Sequence, residues 1–250
     1  MTTLVLSDGF KVIQVASLAV KYHCGIEIQS FYQPDILVRE PELLDIHKKA
    51  IAEIRIRSMH GPFADLCPGS IDVMVRDIAR KRYDQAADVC KQLDVSHVIL
   101  HHGYVPGTSS PGGWLSRCVP FWQSYLDSIP ESLTVHLENI LDHDPGLLLE
   151  LVNSVARPNF DICLDIGHAH CFSKQNVLDW IKKLSRRIGH VHMHDNNGMS
   201  DDHLGLGRGT IPVMEVCLAL KEYTPEAIWA LETPHIEESI FWLRERGFIS

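Results

Sequence analysis

The nine residues Phe160-Asp-Ile-Cys-Leu-Asp165-Ile-Gly-His168 carry the pattern from which the architecture of this chain can be read. Their first half is almost continuously apolar, which is typical of a parallel strand covered on both faces by helices. A carboxylate, Asp165, and an imidazole, His168, follow where the strand gives way to a loop. The pattern predicts a buried parallel strand that presents polar groups at its carboxyl end.

Similar stretches recur along the chain, and we predict eight strands at residues 3–7, 25–30, 54–59, 96–101, 133–138, 160–165, 188–193 and 227–232. Amphipathic helical patterns follow them near 10–22, 41–51, 71–93, 114–128, 145–155, 175–186, 211–222 and 235–246. Eight alternating units of this kind close a (β/α)8 TIM barrel of class α/β. We therefore predict one domain over residues 1–250, with its site at the carboxyl ends of the strands.

Composition and charge argue against several kinds of partner. The 250 residues carry a formal net charge of −9, whereas nucleic-acid backbones are bound mainly by Lys and Arg. The 7 cysteines form no Cys-x-x-Cys pair, and no apolar stretch is long enough to span a bilayer. We expect a cytoplasmic protein with reduced thiols and a small-molecule substrate, with no DNA or membrane partner and the oligomeric state left open.

Imidazoles and carboxylates recur at or just past the predicted strand ends. Nine of them form the candidate ligand set: His60, His101, Glu138, Asp165, His168, His192, Asp201, His203 and Glu232. Borderline divalent metals such as zinc and manganese prefer these ligand types. Because the carboxyl ends of all strands meet at one mouth of a barrel, we predict that these residues build a single metal site.

Other polar residues of the strands have less specific interpretations. Three histidines that lie further back in their strands are interpreted as structural and are expected to point into the helix layer: His97, His136 and His190. His47 is expected to be solvated. His102 and His194 stay undecided, because strand alternation turns them away from their neighbours unless the strand has already ended. Glu27 either faces the barrel interior or is a charged group near the rim.

The motifs, in this order, resemble the xylose isomerase-like TIM-barrel superfamily (AP endonuclease family 2), and the ligand pattern is most similar to endonuclease IV. The matching contexts are His60-Gly-Pro, His101-His-Gly, Glu138-Asn, Asp165-x-x-His168, His192-x-x-Asp, Asp201-x-His203 and Leu-Glu232-Thr. In endonuclease IV nine such residues hold three zinc ions. The resemblance therefore implies two or three bound divalent ions, zinc first, with manganese, cobalt or iron as alternatives.

Departures from the endonuclease pattern argue against DNA as the substrate. His102 stands where the endonuclease has proline, and His194 stands where it has asparagine. Asn196-Asn197 replace its Ser-Lys pair, and the segment after His60 is short and acidic. Superfamily members of the sugar phosphate isomerase/epimerase type and of the cobamide-hydrolase type are the alternatives that the resemblance leaves open.

Two chemistries fit the predicted site. The surplus of ligands favours hydrolysis of a small or medium, non-DNA phosphodiester by two or three metal ions. The alternative is a sugar or sugar-phosphate isomerase or epimerase with a single metal ion held by Glu138, Asp165, His192 and Glu232. In both interpretations Glu138 and Glu232 are catalytic. The predicted substrate-binding residues are His102, His194 and Arg208. A non-enzymatic barrel is the least favoured interpretation.

The glycine-rich segment 103–113 follows the fourth predicted strand and would overhang the mouth of the barrel. Its composition favours turns and mobility. It is interpreted either as a substrate lid or as a plain surface loop.

Overall fold

The computed structural model describes residues 2–250 and contains a closed barrel of eight parallel strands in chain order. The strands are β1 Leu4–Ser7, β2 Gly25–Ile28, β3 Arg57–His60, β4 His97–His101, β5 Thr134–Glu138, β6 Phe160–Asp165, β7 Ile188–Met193 and β8 Ile228–Leu231. Each strand pairs with the next, and β8 closes the barrel on β1, with Leu4 opposite Trp229. The predicted (β/α)8 TIM barrel is confirmed.

Helices lie between successive strands and after the last one. They are α1 Val12–Tyr22, α2 Ile36–Arg39, α3 Leu43–Ala50, α4 Val73–Leu93, α5 Pro111–Leu126, α6 Gly146–Val155, α7 Ile166–Phe172, α8 Val177–Leu184, α9 Val213–Tyr223 and α10 Ile236–Glu245, with a 3-10 turn at Ser185–Arg187. Within residues 2–250, no helix is both long and apolar enough to cross a membrane.

Four elements differ from the sequence prediction for local reasons. The third strand begins at Arg57 and not near residue 54, because Ile54 still closes a turn by donating its N–H to Ile51 O at 2.9 Å. Helix α5 begins at Pro111, where Ser110 caps it and Pro occupies the first turn, so residues 111–113 are helical and not part of the loop. The short helices α2 and α7 were not predicted, since they span too few residues to show a 3.6-residue period.

The core has two parts, as the fold requires. The larger part lies between the strands and the helices and contains the largest fully buried side chains, among them Trp122, Trp180 and Tyr83. The smaller apolar part consists of Val5, Ile228 and Ala230, which form a separate cluster. Polar side chains occupy the barrel interior towards the carboxyl ends of the strands, and they support the site described below.

The histidines further back in the strands face the barrel interior, which corrects the prediction that they point into the helix layer. His190 Nε2 donates to Glu27 Oε2 at 2.6 Å, and the rings of His136 and His190 lie 5.5 Å apart, although β5 and β7 are not adjacent. Each is an even number of residues from its strand-end ligand, so alternation places both on the same inward face. His47 was also wrongly predicted: it is buried, with Nε2 3.3 Å from Asp8.

Candidate active site

All nine candidate ligands lie at the carboxyl-terminal rim of the barrel. Four of them are the last residues of β3, β4, β5 and β6: His60, His101, Glu138 and Asp165. His192 is the penultimate residue of β7, and Glu232 directly follows β8. His168 lies in the first turn of α7, whereas Asp201 and His203 lie in the segment between β7 and α9. The strand ends therefore bring groups that are distant in sequence to one place.

His192 is the centre of this cluster. Its Nδ1 lies 3.0 Å from Glu232 Oε2, 3.3 Å from Glu138 Oε1 and 3.6 Å from Asp165 Oδ2. Burial lowers the pKa of His192, but the surrounding acidic groups outweigh burial and raise this pKa well above its usual range. Three carboxylates thus converge on one imidazole nitrogen inside the barrel mouth.

The two carboxylates nearest to His192 Nδ1, those of Glu232 and Glu138, have pKa values below their usual range. Burial raises the pKa of Glu138, but the imidazoles of His192 and His101 outweigh burial and hold this pKa well below its usual range. Burial likewise raises the pKa of Glu232, and His192 brings it below its ordinary value. Both groups are therefore available as proton acceptors at neutral pH.

On one side of the centre, Glu138 Oε2 meets two further imidazoles. His60 Nε2 lies 3.1 Å and His101 Nε2 3.2 Å from this oxygen. Both histidines are buried, and Phe63 stacks on the ring of His101 at a centroid distance of 4.5 Å. Glu138 therefore contacts His192 through Oε1 and the His60–His101 pair through Oε2.

On the other side, Asp201 accepts from two imidazoles. His203 Nε2 lies 2.8 Å and His168 Nε2 3.3 Å from Asp201 Oδ2. Burial lowers the pKa of His168, but the carboxylates of Asp165, Asp201 and Glu138 outweigh burial and raise this pKa to about 12. The ring of His194 stacks on that of His203 at a centroid distance of 4.1 Å.

The segment that carries Asp201 and His203 is fastened by Asp195. The Asp195 carboxylate accepts the backbone N–H groups of Gly207 at 3.1 Å, Gly209 at 2.9 Å and Ile211 at 3.1 Å. A Cβ on Gly209 would lie 2.4 Å from Asp195 Oδ1, so only glycine fits there. The glycine-rich turn after His203 therefore gives this loop one defined position.

The residues present fit one or more divalent cations. Within residues 2–250, His192 Nδ1 and Asp201 Oδ1 are buried and have no hydrogen-bond partner. Glu138, Asp165 and Glu232 bring negative charges together, and no Lys or Arg of the described residues pairs with them. Several trios hold their ligand atoms within 4.8 Å of one another, among them His60–His101–Glu138, Glu138–Asp165–His168 and His194–Asp201–His203. A divalent cation would supply the charge that this arrangement lacks.

The three predicted substrate-binding residues have different surroundings. His194 Nε2 lies 3.2 Å from Asp165 Oδ2, within the ligand cluster. His102 Nε2 lies 2.9 Å from Asp142 Oδ2, and its ring packs edge-on against Trp114, away from His192. Arg208 is half exposed and pairs with Glu238 at 2.7 Å. Only His194 of these three contacts a candidate metal ligand, and their substrate-binding role stays a prediction.

The mouth above the ligands is a cavity of about 400 Å³ with an aromatic wall. Phe10, Tyr32 and Phe63 form this wall, with Tyr32 and Phe63 stacked at 5.5 Å. Its described lining includes no Lys or Arg. A larger cavity of about 800 Å³ continues from it between the loops after β3 and β4 and shares Phe63 and His101 with it. Segment 103–110 forms part of that wall.

Two residues of the site were not identified as functional from the sequence. Gln29, just past β2, donates from Nε2 to Glu232 Oε1. Glu27 is fully buried in the barrel interior, so the first of its two interpretations is correct. A glutamate with isoleucines on both sides, in Ile26-Glu27-Ile28, was the available signal, because a charge inside a buried strand needs a partner.

The metal-free protein is expected to lose stability as the pH rises through about 9. Burial lowers the pKa of His203, but its bond to Asp201 outweighs burial and raises this pKa to about 9. Because the pKa of His203 is higher in the folded than in the unfolded chain, its protonation stabilises the folded state. This stabilisation is complete below the unfolded pKa of about 6.5 and is lost as the pH rises to the folded pKa. Thermal unfolding in chelator between pH 6.5 and 10 measures the effect. The unfolding temperature of the His203→Gln variant should fall less steeply with pH than that of the wild type. Equal slopes would contradict the raised pKa of His203.

Comparison with known proteins gives a family match and several relatives. The profile of a family described as Xylose isomerase-like TIM barrel matches residues 24–246. An uncharacterized protein of Methanocaldococcus jannaschii is 32% identical over 213 residues, which cover 79% of this chain and 70% of that protein. The fructoselysine 3-epimerase of Escherichia coli O157:H7 is 26% identical over 139 residues, 52% of this chain and 50% of the epimerase.

Solved structures with the same fold cover almost the whole chain. A D-tagatose 3-epimerase-like protein superposes with a TM-score of 0.79 at 24% identity, over 98% of this chain and 96% of its own. A protein from Thermus thermophilus, soaked with ZnCl2, superposes with a TM-score of 0.78 at 22% identity, over 98% of this chain and 97% of its own. At these identities the likeness establishes the fold.

Proposed function

The chain belongs to the xylose isomerase-like TIM barrel family, and on this basis we propose that it is a divalent-metal-dependent sugar epimerase or isomerase. One observation carries the proposal: the carboxylates of Glu138 and Glu232 both lie within 3.3 Å of His192 Nδ1. Two carboxylates this close together can exchange protons with opposite faces of one carbon of a small substrate. This reverses the order of preference reached from sequence, where the hydrolase came first.

The reaction would move one proton at the carbon beside a carbonyl group. One carboxylate takes the proton from one face of that carbon and becomes a carboxylic acid. The other, which must first take up a proton from solvent, returns that proton to the opposite face and becomes ionised again. Gln29 donates to Glu232 Oε1, which keeps Oε2 directed at His192. A divalent ion held by Glu138, Asp165, His192 and Glu232 would polarise the carbonyl and lower the pKa of the neighbouring C–H.

The lining of the mouth favours a neutral polyhydroxy substrate. The described lining residues include no Lys or Arg, and Arg208 is engaged by Glu238. The aromatic wall of Phe10, Tyr32 and Phe63 suits the apolar C–H face of a sugar. His60 and His101 lie at the same mouth and would donate hydrogen bonds to hydroxyl groups.

The adjoining cavity favours a sugar that carries an additional group. Its wall includes Leu66, Trp114 and Leu141 from three different segments, and Leu141 and Val105 are partly exposed to it. A free hexose would leave this apolar space to water. A ketose joined to an aliphatic or aromatic substituent would fill it, and the similarity to a fructoselysine 3-epimerase supports a conjugated sugar.

Solvent-proton exchange in heavy water tests the proposal. We expect deuterium to enter the carbon beside the carbonyl of a ketose when enzyme loaded with Mn²⁺ or Co²⁺ is incubated with D-fructose, D-tagatose, D-psicose and their conjugates. NMR detects the exchange even where the epimer ratio changes little. The metal content of the same protein should be one tightly held ion per chain. No exchange with any ketose of the panel would contradict the proposal.

A second candidate, phosphodiester hydrolysis, is favoured by one observation only. The His60–His101 pair and the Asp201–His203 pair lie on either side of the central ligands, and an epimerase needs neither pair to hold a single ion. Two or three zinc ions per chain, together with cleavage of bis(p-nitrophenyl) phosphate, would favour this candidate over the first.

A further inference from the structure

Beneath the candidate metal ligands lies a carboxylate that the proposed reaction does not use. Glu27 is fully buried, and its neighbours in the register of the sheet are Ser7 on β1 and Ser58 on β3. Ser7 Oγ donates to Glu27 Oε1 at 3.1 Å, and Ser58 Oγ donates to Oε2 at 3.0 Å. Two short hydroxyl side chains thus hold one glutamate at a fixed height inside the barrel.

The same carboxylate reaches across the barrel to β7. His190 Nε2 donates to Oε2 at 2.6 Å, and His192 Nε2 lies 3.2 Å from Oε1. The contact with His192 is close but not aligned as a hydrogen bond within the described residues. His192 therefore has Glu27 on its Nε2 side and Glu138, Asp165 and Glu232 on its Nδ1 side.

We propose that Glu27 is the positioning residue of the metal site: it holds the proton of His192 on Nε2, so that Nδ1 presents its lone pair to the cation. A neutral imidazole carries its proton on one nitrogen only, and a metal requires the other. Histidines that bind metals commonly donate their second N–H to a carboxylate, which fixes the ring and increases its basicity. The inference rests on the metal site of the proposed function and not on its reaction.

A purely structural role for Glu27 is the competing explanation. Glu27 joins β1, β2, β3 and β7, and an apolar side chain of similar size between two serines would leave their hydroxyls unpaired. The two roles differ in what they require. Strand fastening needs the hydrogen bonds of Ser7, Ser58 and His190, whereas positioning needs the negative charge opposite His192 Nε2.

Glu27→Gln tests the two roles because it keeps the size of the side chain and one acceptor oxygen, which can still accept from Ser58 and His190, but removes the charge. We expect the affinity of the metal-free protein for Co²⁺, followed by the visible absorption of the bound ion, to fall about 10- to 100-fold. Glu27→Asp, which retains the charge, should recover part of the loss. The control is Asp142→Asn, the same chemical change at another buried carboxylate, which pairs with His102 at 2.9 Å and should leave Co²⁺ affinity within about twofold.

Each outcome of this titration is informative. Wild-type affinity in Glu27→Gln would overturn the inference while leaving the proposed function intact, and loss of a whole Co²⁺ equivalent would make Glu27 a ligand and not a positioning residue. If the wild-type protein binds no Co²⁺, both proposals fail. If Glu27→Gln does not fold, Ser7→Ala is the second variant. It removes the hydroxyl that holds Glu27 Oε1 opposite His192 Nε2 and should weaken Co²⁺ binding about threefold. Unchanged affinity in that variant would contradict the inference.

Discussion

Glu232→Gln is expected to slow proton exchange at the substrate carbon by about 10²- to 10⁴-fold, the usual contribution of a general base. The amide keeps the shape of the side chain and can still contact Gln29, but it cannot accept a proton. It also removes one of the three negative charges around His192 Nδ1. The rate of deuterium incorporation measured by NMR, at saturating metal, reports the effect on the chemical step.

The matched control for this variant is Glu237→Gln on α10. It makes the same chemical change near the same end of the barrel, but Glu237 is partly exposed and pairs with Lys21 and Tyr22 on α1. Its exchange rate should equal that of the wild type within about twofold. Retained exchange in Glu232→Gln would show that Glu232 is not a member of the acid–base pair.

His101→Ala is expected to separate the two candidate functions. In an epimerase, His101 binds a substrate hydroxyl, so its loss should raise KM about 10- to 100-fold and leave one metal ion bound to the central four ligands. In a hydrolase, His101 holds a metal ion together with His60 and Glu138, so its loss should remove that ion and all turnover. Elemental analysis measures the metal content, and steady-state kinetics on the same preparation measure KM and turnover.

The control for His101→Ala is His102→Ala, one residue further along the chain. His102 pairs with Asp142 and contacts the adjoining cavity, but it contacts none of the central four ligands. It should keep the full metal content under both functions. A metal content that falls equally in both variants would mean that the loop after β4, and not a single ligand, had been disturbed.

The sequence was sufficient for the fold because buried parallel strands leave a strong local pattern. Ile162-Cys163-Leu164 is such a run, and its end at Asp165 coincides with the end of β6. The positions of the candidate ligands followed from the same pattern, because in a barrel a strand end has a known location. Short elements such as α7 could not be predicted, since about two turns of helix directly after a strand are too short to show a clear periodicity.

Contacts between distant elements could not be read in this way. The expectation that His190 points outward failed because its orientation depends on counting residues from the last inward-facing one, and not on the residue type. The pairing of Arg208 with Glu238 required knowing that α10 returns beside the loop after β7. The role of Glu27 depends on β1, β3 and β7 meeting inside one barrel, which no single stretch of sequence contains.

The closure of β8 on β1 also determines when the site can come into existence during synthesis. Leu4 emerges from the ribosome long before its partner Trp229, and Glu232 emerges later still. Until then the nascent chain has an open sheet with unpaired edges, Glu27 lacks the imidazoles of β7, and the central ligand group is incomplete. The complete set of metal ligands would consequently form only after translation has passed β8. A divalent ion would therefore bind at the end of synthesis or after it.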